Sequence, residues 1–127
     1  MLPKNVIIRT EKNVLYWKNT TFNIDVDEAK IMADEIDRLA QKPEVSVLLV
    51  NNQGVKGAWP VDVNPIWGEL MGKLSKNIQK SATVAKNIVV MQINRISKES
   101  GTLEQIRGFT NMDEAKKFLD ITEISLD

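Results

Sequence analysis

The chain contains no cysteine and no histidine. Without cysteine there is no disulfide framework and no thiolate metal site, which suits a reducing compartment and sets the cytoplasm as the expected location. Without histidine the commonest general base is missing, and with cysteine also absent the usual nucleophilic triads cannot be assembled. No Gly-x-Ser-x-Gly, P-loop or Gly-x-Gly-x-x-Gly pattern occurs. Net charge is absent too, since 17 Lys and Arg balance 17 Asp and Glu; the chain lacks the positive field that nucleic-acid binders use, so no nucleic-acid partner is expected. The longest unbroken apolar runs, such as Val47 to Val50 and Ile88 to Met91, fall far short of the roughly 20 residues that cross a bilayer. Met1, Leu2, Pro3 and Lys4 lead into a strand-like run without the pattern of a signal peptide.

What is present is a globular composition. Apolar residues make up 43% and charged residues 27% of the 127 positions, enough for one core and too apolar for disorder. A single domain over 1–127 is expected, with its core at about 4–120 and residues 120–127 reading as a loose tail. Repeats, low-complexity tracts and interdomain linkers are missing.

Val6, Ile7 and Ile8, then Glu11, Lys12 and Asn13, then Val14, Leu15, Tyr16 and Trp17 read as a hairpin with Asn13 suited to positive φ and one face buried. Asp25 and Glu28 have capping-box spacing. Ala29, Met32, Ala33, Ile36, Leu39 and Ala40 then form an apolar stripe that Pro43 closes. Val45 to Val50 reads as a central strand, and so does Ile88 to Ile93. Between them Asn64 as N-cap and Pro65 as first residue open a helix running to about 80, with Trp67, Leu70, Met71, Leu74 and Ile78 on its packed face. Ser97 to Ser100 reads as a short helix ended by Gly101, Gln105 to Phe109 as a last strand, and Asn111 with Glu114 as the cap of a final helix carrying Met112, Ala115, Phe118 and Leu119. A hairpin followed by alternating helices and strands predicts an α/β fold with a mixed sheet and about four helices; the helices lie on one or both faces according to a strand order that spacing alone does not fix.

That order, the strand-loop-helix from Val45 to Ile78, and the closing segment from Ile106 through Arg107, Gly108, Phe109, Thr110, Asn111, Met112, Asp113, Glu114, Ala115, Lys116, Lys117 and Phe118 to Leu119 resemble the STAS domains, including the SpoIIAA-like, anti-sigma-factor-antagonist-like proteins. The resemblance spans about 4–120 and implies a STAS-like fold and a regulatory or binding role. In signalling members a serine is phosphorylated in the loop after a central strand. Here that stretch, Leu48 to Asp62, holds no serine, and no Ser or Thr occurs between Val47 and Leu74, so a phosphorylation switch at that position is not expected.

The same loop is nonetheless the best candidate site. Asn51, Asn52, Gly54, Gly57, Trp59 and Asp62, with Trp67 just beyond, sit between a buried strand and a helix start, where α/β sheets commonly place ligands. Trp17, Trp59 and Trp67 are all the tryptophans of the chain and could wall an apolar pocket or a hot spot; the competing reading packs Trp67 in the core and leaves Trp59 balanced between the two.

Charge is segregated. Asp25 to Arg38 holds six acids and two bases, whereas Lys73 to Lys98 holds six bases and no acid. Lys73, Lys76 and Lys80 have helical spacing and could meet an anionic surface, and two copies could dock acidic face to basic face. The expectation is a non-enzymatic module that engages a protein partner or a small, apolar ligand through the 51–64 loop, with a peripheral lipid or anionic-surface binder as the alternative and a homodimer admitted by the charge pattern. No catalytic residue, metal ligand or cofactor is expected.

Overall fold

A computed structural model describes residues 5–126; the Met1–Lys4 start lies outside them. Strands β1 (Val6–Glu11) and β2 (Val14–Asn19) pair antiparallel across a two-residue turn. Lys12, not Asn13, takes the positive φ, at 52°. β2 is also buried on both faces, where the hairpin pattern suggested one: Leu15 and Trp17 enter one core, Val14 and Tyr16 the other.

The sheet runs β1-β2-β3-β4-β5, with β2, β3 (Val47–Asn51), β4 (Lys80–Val84) and β5 (Ile106–Phe109) mutually parallel. Crossovers between parallel neighbours keep one hand, so three successive steps in the same direction carry their helices to the same face. Accordingly α1 (Val26–Ala40), α2 (Asn64–Asn77) and α3 (Asn87–Glu99) pack together over Leu15, Trp17, Leu48 and Ile106. α4 (Met112–Leu119) covers Val14, Tyr16, Val47, Leu49, Ala82 and Val84 on the opposite face. The molecule is thus an α/β fold with a five-stranded mixed sheet and four helices among the described residues.

α1 starts where the capping box requires, with Asp25 accepting from the Glu28 amide and Glu28 accepting from the Asp25 amide. On its outer side Arg38 donates to both oxygens of Glu35 at 2.7 and 2.8 Å. That hydrogen-bonded pairing, aided by the guanidinium charge, holds the Glu35 carboxyl below its ordinary range.

Two expectations for the middle of the chain fail. Ile88 to Ile93 is helix, not strand, because Val89, Ile93, Ile96 and Ser97 fall on one helical face and are buried while Ile88 and Met91 face solvent. α3 therefore absorbs the short helix placed at Ser97 to Ser100, and Gly101 terminates it at φ 73°. The real fourth strand is Lys80–Val84, where Ser81 and Thr83 alternate with Ala82 and Val84 in a segment with only weak apolar signal. Consequently α2 stops at Asn77 instead of about 80, and a 3₁₀ turn (Val61–Val63) precedes it, so Asn64 is its first residue and not its cap. α3 packs tightly on β5 because a side chain at Gly108 would meet the Val90 backbone at 3.2 Å.

The segment after α4, expected as a loose tail, folds back under the sheet. Ile121, Ile124 and Leu126 are buried in the second core. Ile121→Ala should therefore cost about 2–4 kcal/mol in a urea melt, whereas a substitution in a loose tail would cost almost nothing. For Glu35, a folded-state pKa held low gives a contribution that is present above the unfolded carboxylate's value and lost as pH falls through the lowered one; Glu35→Gln should flatten the acid limb of a stability-against-pH curve measured by the same melts.

Candidate functional site

Between the sheet and helices α1, α2 and α3 lies a cavity of about 70 Å³ walled by Trp17, Trp59 and Trp67, by the apolar side chains of Met32, Ile36, Leu70, Met71 and Leu74, and by Asn19, Asn52, Ser81 and Thr83. All these side chains are buried. No lining residue is ionisable, and Glu35, the carboxyl with a shifted pKa, does not line the cavity.

The strand period explains which residues meet here. Leu15, Trp17 and Asn19 of β2, Leu48 and Val50 of β3, and Ser81 and Thr83 of β4 point to the three-helix face. Asn51 is one residue out of phase with that set and turns to the other side, where its amide donates to the Tyr16 hydroxyl at 3.0 Å and its oxygen accepts from the Gln53 amide. Asn52, just past the strand, returns to the cavity side. The loop that follows turns tightly, with the Val55 amide donating to the Asn52 carbonyl and Gly57 at φ 79°. It then brings Trp59 inward between Phe22 and Trp67, at ring-centroid distances of 4.3 and 5.0 Å and tilted arrangements. Trp59 is 6% exposed, so the choice left open in the sequence falls on the inside. Gln92 of α3 ties the loop down, donating to the Trp59 carbonyl and to Asn64 Oδ1.

The cavity's polar side is one connected relay. Trp17 Nε1 donates to Asn19 Oδ1 at 2.9 Å, and Asn19 Nδ2 donates to Asn52 Oδ1 at 2.6 Å. The relay ends on Asn52 Nδ2, which is buried and has no partner; Trp67 Nε1 is buried and unpartnered as well. Orphaned buried donors are rare because each forfeits its hydration, and each calls for a partner.

Of the residues singled out in the loop, the structure gathers Asn52, Trp59 and Trp67 around the cavity and leaves the others outside it. Asn51 faces the opposite core, while Gly54, Gly57 and Asp62 are exposed. Lys73, Lys76 and Lys80 do not share a helix face. Lys80 belongs to β4, where its ammonium donates to the Phe118 carbonyl and lies 4.6 Å from that ring's centre. Lys73 sits 3.8 Å from Glu69 on the solvent side of α2, and Lys76 lies in the last turn of the same helix. The six bases of the 73–98 segment are thus dispersed over α2, β4, α3 and the loop before it. Sequence reasoning missed Asn19, Ser81 and Thr83. Asn19 ends an apolar strand, and the Ser-Ala-Thr-Val alternation of β4 would have found the other two had its polar positions been assigned to an interior face.

Among the described residues there is no group of three acidic side chains that could hold a metal ion, and no helix is long and apolar enough to cross a membrane. A scan against protein-family models finds no match, and a search of curated proteins finds none.

Replacing Asn19 with leucine leaves Trp17 Nε1 and Asn52 Oδ1 without their partners, so Asn19→Leu should destabilise the fold by about 1–3 kcal/mol. Denaturant titration of the variant against wild type measures it, and an unchanged midpoint would mean the relay carries no stability.

Proposed function

We propose that the chain is a non-enzymatic, STAS-like binding module that takes a small, largely apolar ligand into the cavity walled by Trp17, Trp59 and Trp67. One observation carries this reading. The wall of the cavity is mostly apolar and carries four polar side chains, Asn19, Asn52, Ser81 and Thr83, without a charged one, the pairing of apolar lining with few placed polar groups that small-molecule sites use. The hairpin followed by βα units in chain order, and the closing strand-helix from Ile106 to Leu119, support the STAS-like assignment alongside the sequence resemblance. The loop after β3, where STAS signalling members carry their regulatory serine, forms part of the cavity's wall here through Asn52 and Trp59; the role moves from a phosphorylated surface to an occupied interior. The anionic-surface alternative loses its third lysine, because Lys80 is engaged at Phe118 on the far side of the sheet.

Xenon, which enters dry apolar cavities, provides the direct test. Under xenon pressure the methyl signals of Met32, Met71 and Ile96 should shift saturably in carbon-proton NMR spectra, and those of Ile121 and Leu126 in the second core should stay fixed. Uptake should be insensitive to salt, unlike a basic-surface mode, which ionic strength screens, and Ser81→Leu, which fills the space, should abolish it. Methyl signals that do not respond to xenon would remove the cavity from consideration.

A further inference from the structure

We propose that the chain self-associates through the free edge of β1, two copies pairing antiparallel about a two-fold axis at Ile8, a contact independent of what the cavity holds. The two five-stranded sheets then become one.

The exposed large apolar side chains of the described residues fall in two places. Val61, Ile88 and Met91 border a groove between α2 and α3, while Ile7 and Ile8 stand on β1. The helices that cover the inner strands stop short of β1, which is exposed from Ile7 to Glu11. Ile8, opposite Trp17, lies on the three-helix side, and Ile7, opposite Lys18, on the α4 side.

One hydrogen bond fixes which backbone groups of β1 are free. The Thr20 amide donates to the Asn5 carbonyl at 3.0 Å. Inward bonds recur at every second residue of an antiparallel strand, and the register runs unbroken from Val6↔Asn19 to Glu11↔Val14, so they fall on Ile7, Arg9 and Glu11. Val6, Ile8 and Thr10 therefore turn their N–H and C=O groups outward, and no backbone bond among the described residues reaches them. The opposite edge of the sheet is closed by contrast. On β5 the Ile106 amide donates to the Thr102 carbonyl, the Ile106 carbonyl accepts from Ser97 Oγ, and the Gly108 amide donates to Asn94 Oδ1. β1 has no such cover, and it also lacks the proline, lysine or bulge that commonly guards an open edge.

The edge is complementary to itself, which favours a second copy over a different partner. Positive φ at Asn5 (61°) and Lys12 (52°) bounds the strand on either side, leaving three outward residues centred on Ile8. A two-fold axis there sets Ile8 against the partner's Ile8 and Val6 against the partner's Thr10, each pair exchanging two hydrogen bonds. All three are β-branched, the class that packs well across strands. On the other face Ile7 meets the aliphatic stem of the partner's Arg9. Arg9 and Glu11 bring one charge of each sign to the seam, and the chain carries no net charge, so two copies approach without long-range repulsion.

Sedimentation velocity of the full chain from the micromolar to the millimolar range, with backbone amide exchange read by NMR, tests the seam. A monomer–dimer equilibrium is expected in which the Val6, Ile8 and Thr10 amides exchange more slowly as the dimer fills, while Ile7, Arg9 and Glu11 are protected in both states. Ile8→Lys sets two ammonium groups face to face at the axis, on a side chain that is 37% exposed in the monomer, and should raise the dimer Kd by about tenfold or more. Met91→Lys, in the α2–α3 groove, should leave it unchanged. A wild type that stays monomeric into the millimolar range overturns the proposal and leaves the edge to an extended segment of another protein. A dimer that Met91→Lys dissolves and Ile8→Lys does not moves the seam to the groove and overturns it equally. So does a dimer whose outward β1 amides exchange as fast as the monomer's, a result read on the wild type and independent of how either variant folds.

Discussion

Four parallel strands laid side by side in chain order leave their connecting helices no choice of side. Each crossover takes the same hand and each step goes in the same direction, so α1, α2 and α3 accumulate on one face of the sheet. Everything else follows from that crowding. The opposite face has to be covered by what remains of the chain, which is why α4 and the Ile121–Leu126 segment fold under β3 and β4. The middle strands become doubly buried, and residues of either phase along β2 and β3 enter a core.

The three-helix face is also where packing is incomplete. Three helices and a sheet converge on a space lined by Trp17, Trp59 and Trp67, and polar atoms reach it from the strands: Asn19 from β2, Asn52 after β3, Ser81 and Thr83 from β4. A core built only for stability would fill such a space with aliphatic groups. Instead a donor-only indole, Trp17, sets the orientation of Asn19 and through it of Asn52, and passes donor character along 2.9 and 2.6 Å bonds to the cavity wall. The loop from Asn52 to Asn64 closes it, held by the inward stack of Trp59 on Phe22 and Trp67 and by Gln92 from α3.

The alternation of elements was legible from residues one at a time, though the fourth strand was misplaced. Ile88 to Ile93 is β-branched and apolar, and a short run of that kind fits a buried strand or a helix equally well; the helix prevails because its i, i+4 and i+7 positions meet the sheet while Ile88 and Met91 do not. The sequence pattern points to no strand at Lys80–Val84, where three of the five side chains are polar. Two of these, Ser81 and Thr83, line an interior cavity, and nothing local to five residues announces that.

Within the chain, the capping box at Asp25 and Glu28, the stripe of α1, the hairpin and the Asn111 cap of α4 were determined by the sequence itself, because each depends on interactions between residues a few positions apart. The Asn51–Asn64 loop could be singled out the same way, from its composition between a strand and a helix. Only the tertiary structure decided that Asn52 and not Asn51 lines the cavity, that Trp59 lies inside, that Lys80 parts from Lys73 and Lys76, and that Ser81 and Thr83 join the cavity wall. The physical reason is range: Asn19 meets Asn52 across 33 residues and Trp59 meets Phe22 only after the α1 crossover from β2 to β3, so these contacts exist once strand phase and helix side are set for the whole chain.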